Sequence, residues 1–228
     1  APQAGYDIQF EMLPIVAEAK GGVGGRKIAW NAPALMEKFG MPAPTAAHVF
    51  HDDICIGDAN LKLADYQNFM MEPEFAAILA VDLAPRAGGW DRDSAAEAVS
   101  HFTVAFELLD RRNGPAEHAA SILANNVFNA GLCYDPDARL APADMDPEKF
   151  TTIVHHDGKE ILNKTGGAPQ HPLDAVAFLA NHFNANGVTP RAGEILLCGS
   201  HMPLYPMEHP GKLTMSVKGV GEISFKMG

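Results

Sequence analysis

Three glutamates carry the chemistry this sequence offers. Glu72 and Glu74 stand in Met71-Glu72-Pro73-Glu74-Phe75, directly ahead of an apolar run from Phe75 to Val81. Glu107 interrupts a second run, Val104-Ala105-Phe106-Glu107-Leu108-Leu109-Asp110. Residues two apart in a strand share a face, so Glu72 and Glu74 would project together with Cα atoms about 6 to 7 Å apart. Carboxylates so placed repel unless a cation joins them or one takes a proton, and Glu107 would be expensive to bury without a partner. Oxygen-only ligands select hard cations such as magnesium, manganese or calcium, whereas zinc usually brings His or Cys. Pro73 lacks an N–H, which places the segment at a strand start or edge, near a mouth of the fold. The pattern alone leaves a second reading open, since Glu-x-Glu also occurs on solvated edge strands.

Lys27, beside Ile28, Ala29 and Trp30, is a candidate for proton transfer or for contact with an anionic substrate, against the alternative of a snorkelling surface lysine. Ser200, in a Gly-Ser turn, is a candidate donor to a substrate carboxylate. Arg112 is expected to pair with Asp110. His155 and His156 have no ligand spacing and are expected at a strand end, and His171 before Pro172 is expected to start a helix.

These side chains need a framework to hold them. A chain of 228 residues with 47% apolar content buries a sizeable core, and the expected division is an N-terminal helical or extended segment over residues 1–46 followed by a catalytic domain over 47–228. The formal charge of -11 excludes a nucleic-acid or anionic-membrane partner, which would need a positive field. A small anion is still acceptable wherever a metal inverts the local field. Cys55, Cys133 and Cys198 are far apart in sequence with no CxxC pair, so neither a thiolate zinc site nor a disulfide framework is expected, and reduced thiols suit a cytoplasmic location. No apolar run approaches the roughly 18 to 20 residues of a membrane span. The chain opens on Ala1 rather than Met, which leaves open the removal of a preceding stretch.

Apolar spacing over Tyr6 to Lys20 predicts a helix broken at Pro14, and Gly21 to Gly25 reads as a flexible turn. It lacks the Gly-Lys-Ser/Thr ending of a phosphate loop. Strands are expected at Lys27 to Trp30, Val49 to Ile54, Phe75 to Val81 and Phe102 to Leu109. A helix between the last two is expected from Ser94 to Glu97 as a capping box. Pro172 to Asn186 is the longest amphipathic helix, with Gly187 just past its end. Ile195 to Cys198, Leu213 to Val217 and Glu222 to Phe225 read as closing strands.

Several of these segments, in this order, resemble the 2-keto-4-pentenoate hydratase and 4-oxalocrotonate decarboxylase branch of the fumarylacetoacetate hydrolase superfamily. Gly25-Arg26-Lys27-Ile28-Ala29 is similar to its Gly-x-Lys-hydrophobic-Gly, Glu72-Pro73-Glu74 to its Glu-x-Glu, and Phe106 to Arg112 to its Leu-Glu-Ile-Ile-Asp-Ser-Arg. His171 to Asn181 and Ala192 to Ser200 resemble the segment before its long helix and its Gly-Asp-hydrophobic strand and turn, and Pro210-Gly211-Lys212 resembles a following Pro-Gly-Asp. The match departs at Ala124-Asn125-Asn126-Val127-Phe128, where the family often has Ala-Asp-Asn-Ala-Ser, and at Asn113 to Ala116, Gln170 and Cys198. The N-terminus is also shorter than usual.

The resemblance implies an α+β fold, a mixed β-roll or β-sandwich with flanking helices, usually assembled as a homo-oligomer. It implies Mg2+ or Mn2+ on Glu72, Glu74 and Glu107, with Lys27 in proton transfer or substrate contact and Asp52 and Asp53 lining the site mouth. The implied activity is that of a hydratase-like lyase on a 2-hydroxy-2,4-dienoate or 2-oxo acid through a stabilised enolate, as in meta-cleavage catabolism of aromatics. A decarboxylase of an oxalocrotonate-like diacid, a C–C hydrolase and a non-catalytic paralogue are the alternatives.

Overall fold

The longest strands, β5 (Phe69–Leu79) and β6 (Val99–Asp110), lie side by side and antiparallel at the centre of the chain, which the computed structural model describes over residues 2–228. Before them come α1 (Pro2–Ala19), β1 (Val23–Ala29), α2 (Pro33–Phe39), β2 (Thr45–Phe50), β3 (Ile54–Ile56) and β4 (Ala59–Leu61), and α3 (Arg92–Ala98) separates the pair. After them come α4 (Ala119–Ala124), β7 (Asn129–Tyr134), β8 (Thr151–His156), β9 (Lys159–Thr165) and α5 (Pro172–Ala185). The chain closes with β10 (Ile195–Ser200), β11 (Tyr205–Pro206), β12 (Gly211–Val217) and β13 (Gly221–Met227).

One sheet has the order β2-β1-β10-β5-β6-β7-β3, with β11 also paired to β5. Its two end strands, β2 and β3, are consecutive in the chain and joined only by the turn His51–Asp53, so the sheet curls back on itself as a half-barrel. The second sheet, β4-β13-β12-β8-β9, packs on the outer face of β5 and β6. Phe75, Phe106 and Phe225 meet in that core, Phe106 and Phe225 with ring centroids 5.1 Å apart. The inward positions of the curled sheet are mostly small or aliphatic, as at Val49, Ala76, Ala105, Leu132, Ile195 and Leu197. Burial on both faces explains why β5 and β6 read as nearly continuous apolar runs.

The helix over Pro172–Ala185 forms as expected, with His171 as its N-cap accepting from Leu173 N–H. Elsewhere tertiary context moves the elements. α1 runs unbroken through Pro14, whose exposed position lets water serve the carbonyl left without a donor. The buried face of α1 is Gly5, Tyr6 and Gln9, while Ile8 and Met12 point outwards. Gly24 and Gly25 are strand residues rather than part of a turn, because β1 runs so close to β10 that a Cβ at Gly25 would clash with Ile195 O. The capping box of α3 begins at Asp91 and uses Ser94 at its third position, three residues ahead of the expected one. The expected strand Val49 to Ile54 is split by His51–Asp53. A division at residue 46 would cut β2 and strip β1 of its partner, since both belong to the main sheet.

Cys55 and Cys133, distant in sequence, are direct register partners on β3 and β7, and all three cysteines are free thiols. No helix among the described residues is long and apolar enough to cross a membrane.

Candidate metal centre

Glu72 and Glu107 face each other directly in the β5–β6 register, and Glu74 follows on the same face of β5. Carboxylate oxygens of the three lie within 4.8 Å of one another inside the curled sheet. Glu74 and Glu107 are buried, whereas Glu72 keeps some access to solvent. Pro73 sits within β5, not at its start or edge as its residue type suggests. Its carbonyl accepts from His201 N–H, so its nitrogen faces the break where β5 passes from pairing with β10 to pairing with β11, and no ladder bond is lost there.

Each buried carboxylate has an identifiable partner. Lys27 Nζ lies 2.9 Å from Glu107 Oε1, with the lysine 1% exposed, so it is a core residue and no snorkelling lysine. Asn129 Nδ2 donates to the same oxygen at 2.9 Å. Gly199 N–H donates to Glu74 Oε2 at 2.7 Å. Among the described residues, Glu107 Oε2 is buried with no hydrogen-bond partner. Burial first and the Glu107 charge second push Glu72 up to about 8 and Glu74 well above the ordinary carboxylate range, with Lys27 opposing both shifts. Three acids against one lysine, all-oxygen donors and an unpartnered buried oxygen fit a hard divalent cation.

Lys27 and Arg26 alternate across β1. Lys27 enters the curled sheet, and Arg26 turns to its outer side, where it binds Glu194 at 2.8 Å and lies 4.6 Å from the centroid of the Phe183 ring. That buried ion pair was not legible in the sequence, because 168 residues separate its members. Asn129 and Gly199 were missed as well, and the only signal for Gly199 was the Gly-Ser turn it belongs to.

Asp52, Asp53 and Ser200 were also expected at the site, and Ser200 is near enough to Glu72 to oppose the rise of its pKa. Asp53 is held by Lys20 at 2.6 Å, and among the described residues neither Asp52 nor Asp53 bonds Lys27 or the glutamates. Ser200 lies beside the cluster, register partner of Glu74, but its hydroxyl donates to Met202 O at 2.6 Å. An unengaged donor nearby is Asn31 Nδ2, buried against Gly199 without a partner among the described residues. Arg112 does not pair its guanidinium with Asp110. It donates to Asn129 O, while Asp110 accepts from the Arg112 backbone N–H. His155 and His156 end β8 as expected, and His156 bonds the Tyr205 hydroxyl.

The altered stretch Asn125 to Phe128 closes this end of the curled sheet. Asn126 clamps β2 by accepting from His48 N–H at 2.9 Å and donating to His48 O at 2.8 Å. Asn126, Val127 and Phe128 all take left-handed backbone (φ 52, 48 and 61), costly for β-branched Val127. Val127 and Phe128 pack in one apolar cluster with Leu109 and Met70.

A curled half-barrel sheet backed by a second sheet, with three carboxylates converging inside it, defines a protein of the fumarylacetoacetate hydrolase fold class. The chain superposes on 4-oxalocrotonate decarboxylase from Pseudomonas putida G7, complexed with magnesium and adipate, with a TM-score of 0.89 at 19% identity, covering 100% of this chain and 86% of that one. Fumarylpyruvate hydrolase from Pseudomonas aeruginosa, in complex with Mn2+ and pyruvate, gives 0.63 at 14% identity, covering 89% of this chain and 88% of that one. In sequence, the chain is 27% identical over 228 residues to 2-hydroxyhexa-2,4-dienoate hydratase of Comamonas testosteroni, covering 97% of this chain and 84% of that protein. No family model matches. Over nearly its whole length the chain is thus similar in sequence to 2-keto-4-pentenoate hydratases and in fold to 4-oxalocrotonate decarboxylase of the fumarylacetoacetate hydrolase superfamily.

Proposed function

We propose that this protein is a divalent-metal-dependent hydro-lyase that adds water to a small 2-hydroxy-2,4-dienoate, in the manner of meta-cleavage catabolism of aromatics. The observation that carries the reading is the buried convergence of Glu72, Glu74 and Glu107 with Lys27 bonded to one of them. Glu72, Glu74 and Glu107 are the residues that would hold Mg2+ or Mn2+. Held there, the ion supplies Lewis-acid stabilisation of the charge that develops when a 2-oxo acid enolises.

The chain's own groups do the rest. Lys27 Nζ, shielded from bulk water and 2.9 Å from Glu107, is the group placed to hold and return a proton beside the substrate. Asn129 and Gly199 keep Glu107 and Glu74 in orientation. Asn31 Nδ2 is the donor free to meet the substrate's carboxylate, since Ser200 would first have to release Met202 O. We also infer self-association through α1, whose Ile8, Met12 and Ile15 form one outward stripe at 49, 43 and 60% exposure.

The test is incubation of the purified chain with fresh 2-hydroxypenta-2,4-dienoate and with 2-oxohex-3-enedioate, with and without Mg2+ or Mn2+, following ultraviolet absorbance and carbon dioxide. Metal-dependent loss of dienoate absorbance without gas supports the hydratase. Carbon dioxide from the diacid as the faster reaction replaces it with a decarboxylase, and no turnover of either despite metal binding overturns both.

A further inference from the structure

Strand β3 is short and forms one end of the curled sheet, so β7 is its only strand partner among the described residues. The two run parallel with Cys55 opposite Cys133, and register partners on neighbouring strands project to the same face. Paired strands lie about 4.8 Å apart, inside the range of about 4.4 to 6.8 Å between Cα atoms that a disulfide spans. Both thiols point away from the glutamates. Leu132, the register partner of Glu107, lies inside the curl, whereas Cys133 belongs to the core between the two sheets, with Cys55 and Tyr66 packed against that core.

The pair is asymmetric. Cys55 is half-buried and open to a small reagent, while Cys133 is 0% exposed. Donation from the Cys133 thiol draws Cys55 down to about 7, against burial and the Asp53 charge, and the same bond together with burial holds Cys133 up. The thiolate is the nucleophilic form of cysteine, so reactivity falls to the half-buried member. The backbone on either side of Cys55 is held against β7. Gly57 N–H donates to Tyr134 O at 2.9 Å, and Gly131 lies so close to the Asp53 backbone that a Cβ there would clash. A sulfur oxidised at Cys55 thus has a second thiol beside it without rearrangement of the sheet. Cys198, on β10 and three strands from β7, is buried, and that burial, then the Glu74 charge, pushes its thiol well up.

We propose that Cys55 and Cys133 form a reversible oxidation site for small hydroperoxides, with Cys55 as the attacking thiol and Cys133 as the resolving one. The Cys55 sulfur attacks the peroxide, the O–O bond breaks, the departing oxygen leaves as water or alcohol, and Cys55 becomes a sulfenic acid. The Cys133 sulfur then attacks the Cys55 sulfur, the S–O bond breaks, and the hydroxide leaves as water with the Cys133 proton. The two thiols lose two electrons and two protons, and the hydroperoxide gains them. The disulfide fastens the end strand of the curled sheet to β7 and keeps Cys55 from further oxidation to the sulfinic acid. A dithiol reductant reverses it. None of this depends on what the glutamates bind.

The test is treatment of the reduced full chain with a small excess of hydrogen peroxide, followed by thiol titration and peptide mass mapping. Free thiols should fall from three to one, with a cross-linked Cys55–Cys133 peptide two hydrogens lighter than its parts and Cys198 still reduced. Dithiothreitol should then return all three. Cys55→Ser should slow thiol loss at least about tenfold. Cys133→Ser should lose one thiol at the native rate and stop at a sulfenic acid that dimedone traps. Thermal melting of both variants checks that they fold, and mapping of the native chain decides the cross-link without them. A cross-link through Cys198, survival of all three thiols, or equal rates of thiol loss in the native chain and Cys55→Ser overturns the proposal.

Discussion

Replacing Lys27 with methionine separates the two tasks assigned to the centre, holding a cation and moving a proton. The ammonium lies 2.9 Å from Glu107 Oε1, with Lys27 1% and Glu107 0% exposed. At an effective dielectric of about 20 the attraction is about 6 kcal/mol, and removing one partner of such a buried pair destabilises by about 3–5 kcal/mol because the other charge is left uncompensated. Metal-free Lys27→Met should therefore unfold in urea at markedly lower concentration than the native chain. A divalent cation replaces the missing positive charge, so saturating Mg2+ should return most of the loss, and Mg2+ affinity by calorimetry should hold or rise, since a repelling ammonium has gone. Turnover of 2-hydroxypenta-2,4-dienoate should fall by about 10²–10⁴, the range for loss of a positioned proton carrier. Unchanged turnover would refute the proton-transfer role. Mg2+ affinity falling more than tenfold would show that Lys27 organises the ligands instead.

Further expectations follow from the same geometry. Glu74→Gln and Glu107→Gln should each weaken Mg2+ binding by at least about tenfold in calorimetry, since each removes one charged oxygen ligand; unchanged affinity in both would remove the metal centre. Gly25→Ala puts a Cβ against Ile195 O, a backbone atom that cannot swing aside, and should destabilise by about 2 kcal/mol or more in urea unfolding. His201 is buried and, through that burial, held down to about 4 from 6.5. The unfolded chain takes up its proton below 6.5 and the native one only near 4, so this histidine's contribution is present at neutral pH and lost as pH falls through that window. Between pH 7 and pH 5 the native chain should lose about 2 kcal/mol relative to His201→Asn, at about 1.4 kcal/mol per unit; a constant difference between the two would contradict that.

Much of the centre was legible from residue type. A glutamate inside an apolar run must be paired, and Glu-x-Glu before another run must share a face if it is strand. The helix at Pro172–Ala185 was legible because His171, Pro172 and Gly187 mark its ends locally. Pro73 misled because its cost depends on which partner strand it faces, and the gap between β10 and β11 is a feature of assembly. The apolar face of α1 misled similarly. Gln9 is buried because it reaches Leu123 O and Ala46 O, acceptors 114 and 37 residues away.

The sequence by itself determined the kinds of ligand, the hard-cation chemistry they select and the alternation that sets Glu72 with Glu74 and Lys27 apart from Arg26. Only the tertiary structure decided that these groups meet. In a flat sheet, β1 and β6 would lie three strand spacings apart, about 14 Å, beyond comfortable reach of a lysine and a glutamate. Curling the sheet until β2 and β3 stand at its two ends brings Lys27 Nζ to 2.9 Å from Glu107. The same curl makes partners of Cys55 and Cys133 and folds Asn126 onto His48. Strand patterning is local, whereas closure depends on twist, register and packing summed over the whole sheet.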